Sequence, residues 1–168
     1  MDGDEIDVAR LPDIAMLDTT VLIPGLPGGR LRASDDAASP LLFEAMIAAR
    51  KTILIAAPSA AELIRRSPKT AIPRTRQVFV VAFDRTAAEI LGERFPPTVL
   101  TVHRDESAAR APLHYIKYDA MIVACAVRHR ANVLISCDAD QRKLAAKVGL
   151  SAAVPSDYLA LQPRLPHT

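Results

Sequence analysis

The sequence of 168 residues has few aromatic residues, few cysteines and almost no excess of either charge. Aromatic residues make up 4% of it and Trp is absent, so platforms on which single-stranded bases could stack are scarce. Cys125 and Cys137 are too few for a disulfide framework, and no CxxC or His/Cys cluster has the spacing of a zinc site. The 21 basic and 19 acidic residues leave a net charge of +2. The net charge therefore does not indicate a nucleic-acid binder, although binding through a local basic patch remains an alternative.

Long apolar runs are also absent. No stretch of about 18 uncharged apolar residues occurs, so the sequence predicts no membrane-spanning helix. Residues 1–5 are acidic, unlike the basic start of a secretory signal peptide. We therefore expect a reduced, cytoplasmic protein. Half of the residues are hydrophobic and 24% are charged, which is typical of a globular protein. We predict a single domain over residues 1–168, with its core at about 13–155.

Short apolar runs alternate with helical segments along the chain. Residues 14–17, 52–55 and 132–135 are typical of strands buried on both faces of a parallel sheet. Ser39 is expected to cap a helix between the first two runs. Asp119 is expected to open a later helix that is apolar nearly all round and therefore buried. This alternation predicts an α/β sandwich with a mostly parallel central sheet.

Four acidic residues lie where the expected strands and helices meet. Asp18 directly follows the first strand, and Glu62 lies early in the helix after the second. Asp138 follows the run 132–135, and Asp119 begins the apolar helix before it. Because ligands of open parallel sheets bind beyond the carboxyl ends of the strands, we expect these four carboxylates to meet at one edge.

Each acid also has a purely structural interpretation. Glu62 ends a Ser-Ala-Ala-Glu capping box, in which it would only satisfy the backbone. Asp138 could be a helix N-cap, and Asp119 could be an N-cap or pair with Lys117. Asp18 has the weakest structural alternative, because aspartate is disfavoured in strands.

Electrostatics favours the joint interpretation of the four acids. Two carboxylates about 4 Å apart repel by roughly 4 kcal/mol at an effective dielectric constant of about 20. Four of them in one pocket therefore need protons or a cation. Oxygen ligands without His or Cys indicate Mg²⁺ or Mn²⁺ rather than zinc.

Four segments resemble, in order, the motifs of PIN-domain ribonucleases. Residues 18–23, Asp-Thr-Thr-Val-Leu-Ile, resemble the opening motif, and residues 61–63, Ala-Glu-Leu, resemble the second. Residues 118–126, Tyr-Asp-Ala-Met-Ile-Val-Ala-Cys-Ala, resemble the third motif, which is the most specific. Residues 131–138 resemble the final strand with its Thr/Ser-x-Asp ending. The resemblance covers residues 14–154 and implies a PIN-like three-layer α/β/α sandwich.

The resemblance also implies the residues of the site. Thr20 stands where Asn or Ser is more usual and is expected to support the residues that hold the ion. Ser136 matches the family's Thr/Ser and is expected to orient a carboxylate or a metal-bound water. Asp140 is either an extra ligand or a solvated helix residue. The residues that match the family's catalytic and metal-holding acids are Asp18, Glu62, Asp119 and Asp138.

The implied activity is hydrolysis of RNA phosphodiesters with Mg²⁺ or Mn²⁺ held mainly by Asp18 and Asp119, near Asp138. Glu62 would hold or position the attacking water or a second ion, and the expected products carry a 3′-hydroxyl and a 5′-phosphate. Because the edge is acidic, the binding of RNA there requires positively charged residues nearby. Basic residues at a surface can also serve only to keep the protein soluble. The candidate RNA-binding residues are Arg65, Arg66, Lys69, Arg74 and Arg76, together with Arg30 and Arg32 in the glycine-rich loop.

Stand-alone PIN domains of this size resemble VapC-type toxins of toxin–antitoxin pairs, which implies a homodimer and a small antitoxin as partner. Three other functions stay open. One is a PIN ribonuclease without an antitoxin, and another is a non-catalytic PIN-like module that binds RNA or protein. The third is a receiver-like phosphoacceptor. Such a protein requires a second acidic residue near the end of the first strand, where this sequence has only Asp18.

Overall fold

The computed structural model describes residues 5–27, 36–66, 71–107 and 112–160. Within these ranges one sheet of five strands has the order β3-β2-β1-β4-β5, and every neighbouring pair is parallel. The central position of β1, between β2 and β4, brings the ends of three strands together. The strands are β1 (Ile14–Leu17), β2 (Thr52–Ala56), β3 (Val78–Val81), β4 (Val133–Ile135) and β5 (Ser151–Ala153).

Helices cover both faces of this sheet. Side chains alternate along each strand, so that Ala15 and Leu17 of β1 join one buried cluster while Met16 joins the other. The first cluster is completed by side chains from α1, α2 and α3, and the second by side chains from α4, α5, α6 and α7. The three-layer α/β/α sandwich is thereby confirmed. The helices are α1 (Thr19–Gly25), α2 (Ala38–Ala48), α3 (Ala57–Arg66), α4 (Arg85–Arg94), α5 (Pro97–Glu106), α6 (Leu113–Arg128) and α7 (Ala139–Lys147).

Three expected helix starts are wrong. Ser39 does not cap α2, because the helix begins at Ala38 and the buried Ser39 hydroxyl has no hydrogen-bond partner among the described residues. The helix α3 begins at Ala57, so Glu62 lies in its second turn. The helix α6 begins at Leu113, which places Asp119 inside the helix instead of at its first residue. Asp119 is therefore not an N-cap.

The two cysteines are free thiols, of which Cys125 is buried and Cys137 is half-buried. Cys125 packs in the cluster between the sheet and α6. Among the described residues, no helix combines the length and the apolar character needed to cross a membrane.

Candidate metal centre

Asp18 lies at the carboxyl end of the central strand, where the chain turns into α1. Its backbone N–H donates to the Ile135 carbonyl, so the ends of β1 and β4 stay paired up to this residue. The side chain is 5% exposed and caps α1 by accepting a hydrogen bond from the Thr20 backbone N–H at 3.1 Å. Thr20 Oγ1 donates to the same Oδ2 atom at 2.8 Å, and Ser136 Oγ donates to it at 3.3 Å. The buried charge of Asp18 is thus stabilised by a set of fixed donors.

Thr20 and Ser136 tie the loop after β4 to Asp18. Thr20 Oγ1 accepts from the Cys137 backbone N–H at 3.0 Å, and Ser136 Oγ accepts from the Asp138 backbone N–H at 3.0 Å. The two hydroxyl oxygens are 3.4 Å apart. Both hydroxyl groups therefore link the Asp18 carboxylate to the loop after β4.

Glu62 reaches the same region from the second turn of α3. Its Oε2 accepts from Thr19 Oγ1 at 2.7 Å, and the same hydroxyl lies 3.3 Å from Asp18 Oδ1, so Thr19 links the two acids. Its Oε1 forms an ion pair with Arg66 Nε at 2.9 Å. The capping-box interpretation of Glu62 is wrong, because the buried Ser59 hydroxyl has no partner among the described residues.

Asp119 lies half-buried in α6, and its pKa is raised to about 8. Burial is the largest cause, because it disfavours the charged form. The predicted partner Lys117 is exposed, and none of the ion pairs within the described residues involves Asp119. The remaining causes, in decreasing order, are the negative charges of Asp18, Asp138, Glu62 and Asp140. These negative charges add to the effect of burial on the pKa of Asp119.

Asp138 and Asp140 belong to the start of α7. Asp138 caps this helix, since its Oδ1 accepts from the backbone N–H groups of Asp140 at 2.8 Å and Gln141 at 3.2 Å. Asp140 accepts a hydrogen bond from the Ser107 hydroxyl and forms an ion pair with Lys143 at 2.9 Å. The hydrogen bond from Ser107 is the largest cause of a lowered pKa of Asp140, and the hydrogen bond from Lys143 is the next. Both Asp140 oxygens are thus engaged by neighbouring side chains.

A preformed metal-binding group is absent from the described ranges: no three His, Cys, Asp or Glu side chains there stand in the mutual positions that would hold an ion. Asp18 and Asp138 cap helices, and Glu62 pairs with Arg66, while mutual repulsion acts on Asp119. A donor set of carboxylate oxygens nevertheless has the chemistry of a Mg²⁺ or Mn²⁺ site, and a cation would relieve the repulsion on Asp119.

The candidate RNA-binding residues fall near this edge only in part. Arg65 and Arg66 are exposed in the last turn of α3. Arg74 and Arg76 are also exposed, but they precede β3 and therefore lie at the edge where the parallel strands begin, opposite the edge that carries Asp18. The ion pair with Glu62 partly neutralises Arg66. The remaining candidates lie outside the described residues: Lys69, Arg30 and Arg32.

Two polar residues at the centre were missed in the sequence. Thr19 directly follows Asp18, and its hydroxyl joins Asp18 to Glu62. Gln141 is 1% exposed, and its Nε2 lies 3.4 Å from Asp18 Oδ1. Gln141 could have been recognised from its position in α7. It lies on the buried face of the helix with Leu144 and Ala145, where an apolar residue is expected.

Comparison with known proteins identifies the family. The model of the PIN domain family matches residues 15–147, and the chain therefore belongs to the PIN domain family. The structure is similar to a chain in the crystal structure of VapBC2 from Rickettsia felis bound to a DNA fragment from their promoter. The TM-score is 0.55 at 16% identity, with 84% of this chain and 98% of that chain covered. This likeness shows the fold. No curated protein matches the sequence.

Proposed function

We propose that the protein is a Mg²⁺- or Mn²⁺-dependent endoribonuclease. The observation that carries this proposal is the position of Asp119, whose carboxylate lies in an apolar helix. Burial, and then the charges of neighbouring acids, raise the pKa of Asp119 to about 8. Such an arrangement weakens the fold unless a proton or a cation compensates for it. Membership of the PIN family supports the same reaction class, since PIN domains are generally nucleases.

Asp18 and Asp119 are the residues proposed to hold the ion, with Asp138 beside them. A bound Mg²⁺ or Mn²⁺ supplies a more acidic water and charge that stabilises the phosphate and the departing oxygen. Thr20 and Ser136 keep the Asp18 carboxylate in place through their hydrogen bonds. Glu62, which Thr19 links to Asp18, is proposed to position the attacking water by accepting a hydrogen bond from it.

The substrate proposed for this site is RNA, cleaved to a 3′-hydroxyl and a 5′-phosphate. The exposed residue Arg65 offers positive charge for the phosphate backbone. Arg74 and Arg76 lie at the opposite edge of the sheet and are not part of this proposal. Arg66 could add to it by exchanging Glu62 for a phosphate.

The biological role proposed is that of a toxin neutralised by a small antitoxin, acting in the cytoplasm as a homodimer. The likeness to a chain of VapBC2 supports this part of the proposal. Growth arrest on expression, relieved by the product of an adjacent small reading frame, is the expected behaviour. Unaffected growth would favour a PIN ribonuclease without an antitoxin.

A non-catalytic PIN-like module that binds RNA or protein is the second candidate. The observation in its favour is that the described residues include no preformed group of three metal-binding side chains. Such a module would bind its partner equally well with and without divalent ions.

Incubation with single-stranded RNA tests the proposed activity. We expect cleavage in Mn²⁺ or Mg²⁺, no cleavage after chelation, and recovery when the ion is restored, because four carboxylates cannot approach a phosphate without a cation. Product ends are checked by labelling. Cleavage that persists in excess chelator would contradict metal dependence, and RNA binding without cleavage would favour the non-catalytic module.

A further inference from the structure

Gln141 occupies a buried place where its polarity needs an explanation. It lies in the first turn of α7 and is 1% exposed, on the face of the helix that also buries Leu144 and Ala145. Its Oε1 is buried, and no described residue donates a hydrogen bond to it. An apolar side chain of similar size would fill the same place without burying an acceptor that has to be satisfied.

The side chain does not serve the start of its own helix. Gln141 stands three residues after the N-cap Asp138, where a glutamine could close a capping box. The Asp138 backbone N–H instead donates to Ser136 Oγ at 3.0 Å. The Gln141 side chain turns to Asp18, which is distant in sequence, and places Nε2 at 3.4 Å from Oδ1.

The two oxygens of Asp18 differ in how firmly they are held. Oδ2 receives hydrogen bonds from the Thr20 backbone, the Thr20 hydroxyl and Ser136. Oδ1 has only two contacts with donors among the described residues, Thr19 Oγ1 at 3.3 Å and Gln141 Nε2 at 3.4 Å. A hydroxyl has a single hydrogen. Thr19 directs it to Glu62 at the shorter distance of 2.7 Å, which leaves Gln141 as the donor to Oδ1.

We propose that Gln141 is a positioning residue that fixes the plane of the Asp18 carboxylate, through its Nε2, for the binding of a divalent cation. The inference rests on the proposed function, because it takes Asp18 to be a ligand of the ion. Hydrogen-bonded partners behind metal ligands orient those ligands, and their loss typically costs about 10–100-fold in metal affinity or activity.

The test measures Mn²⁺ binding to the protein by calorimetry, without RNA, alongside urea unfolding in the absence of metal. For Gln141→Met we expect a dissociation constant about tenfold higher than that of the wild type. The midpoint of urea unfolding should stay close to that of the wild type, because the lost hydrogen bond to Asp18 is offset by the removal of a buried acceptor that has no partner among the described residues. Gln141→Leu should behave in the same way. The matched control is Leu144→Met, on the same buried face of α7, which should bind Mn²⁺ like the wild type.

The outcomes separate this inference from the proposed function. Wild-type protein that binds Mn²⁺ and cleaves RNA, with Gln141→Met binding Mn²⁺ equally well, overturns the role of Gln141 alone. Wild-type protein that neither binds Mn²⁺ nor cleaves RNA overturns both. If neither Gln141 variant folds while Leu144→Met does, Gln141 is a structural residue and the proposal is also overturned. Weaker Mn²⁺ binding in both folded Gln141 variants and not in the control supports it.

Discussion

Replacement of Asp119 by asparagine is expected to lower the rate of RNA cleavage by roughly 10³-fold or more. Loss of a partner behind a metal ligand costs about 10–100-fold, so loss of a proposed ligand should cost more. The amide keeps the size of the side chain and removes the charge, so packing around α6 should be preserved. The measurement is the initial cleavage rate at saturating Mn²⁺, with circular dichroism to verify the fold.

Asp105→Asn is the matched control for this variant. Asp105 is an exposed aspartate on α5 that pairs with its neighbour Arg104 and not with the candidate centre. Its substitution should leave the cleavage rate within about twofold, as for surface changes away from a site. Wild-type cleavage by a folded Asp119→Asn protein would contradict the proposed role of Asp119.

The metal-free protein is expected to lose stability as the pH rises through neutrality. The pKa of Asp119 is about 8 in the folded protein against 3.8 for an ordinary aspartate. The folded state therefore keeps a proton that the unfolded chain releases. The stability associated with this proton is fully present below about pH 4 and is lost progressively as the pH rises to about 8. Urea unfolding at about pH 6.5 and 8 should differ by about 1–2 kcal/mol, since one proton contributes at most about 1.4 kcal/mol per pH unit.

The choice of pH range separates Asp119 from other groups. Burial lowers the pKa of His103 below its ordinary value of 6.5. The folded protein therefore gains stability from His103 as the pH rises to about 6.5. This gain opposes the loss of stability caused by Asp119 at lower pH. Above about pH 6.5 the opposing effect is complete. Asp119→Asn lacks the titrating group and should show no decline, and saturating Mn²⁺ should remove the decline in the wild type. Parallel pH profiles of wild type and Asp119→Asn would contradict the raised pKa.

The parallel sheet could be predicted from the sequence because its strands are short and apolar. Residues 14–17 are a continuous apolar run, and in the structure Ala15, Met16 and Leu17 are all fully buried. A run of this length is typical of a buried strand and is short for a helix. Helix starts were harder to predict. Ser39 has the residue type of an N-cap, but it is buried within α2. Local capping preference is worth only about 1 kcal/mol and yields to packing.

The candidate site was predictable where it depends on strand order, and not where it depends on side-chain direction. Asp18 and Asp138 follow adjacent strands, so their proximity follows from the parallel sheet. Asp119 was misplaced because the first turns of α6 carry exposed residues such as Tyr115 and Lys117, which hide the start of the helix. The contact of Gln141 with Asp18 joins residues far apart in sequence, and no local pattern encodes it.

We propose that Asp18, Glu62, Asp119 and Asp138 form one divalent-cation site. Anomalous diffraction from crystals of the protein soaked in Mn²⁺ at about pH 8 examines this site without the need for a substrate. We expect an anomalous peak bonded to the carboxylates of Asp18 and Asp119, with Asp138 or Glu62 turned towards it. Unchanged side chains in the soaked crystals, with Asp18 and Asp138 still only capping their helices and no peak between the acids, would contradict it.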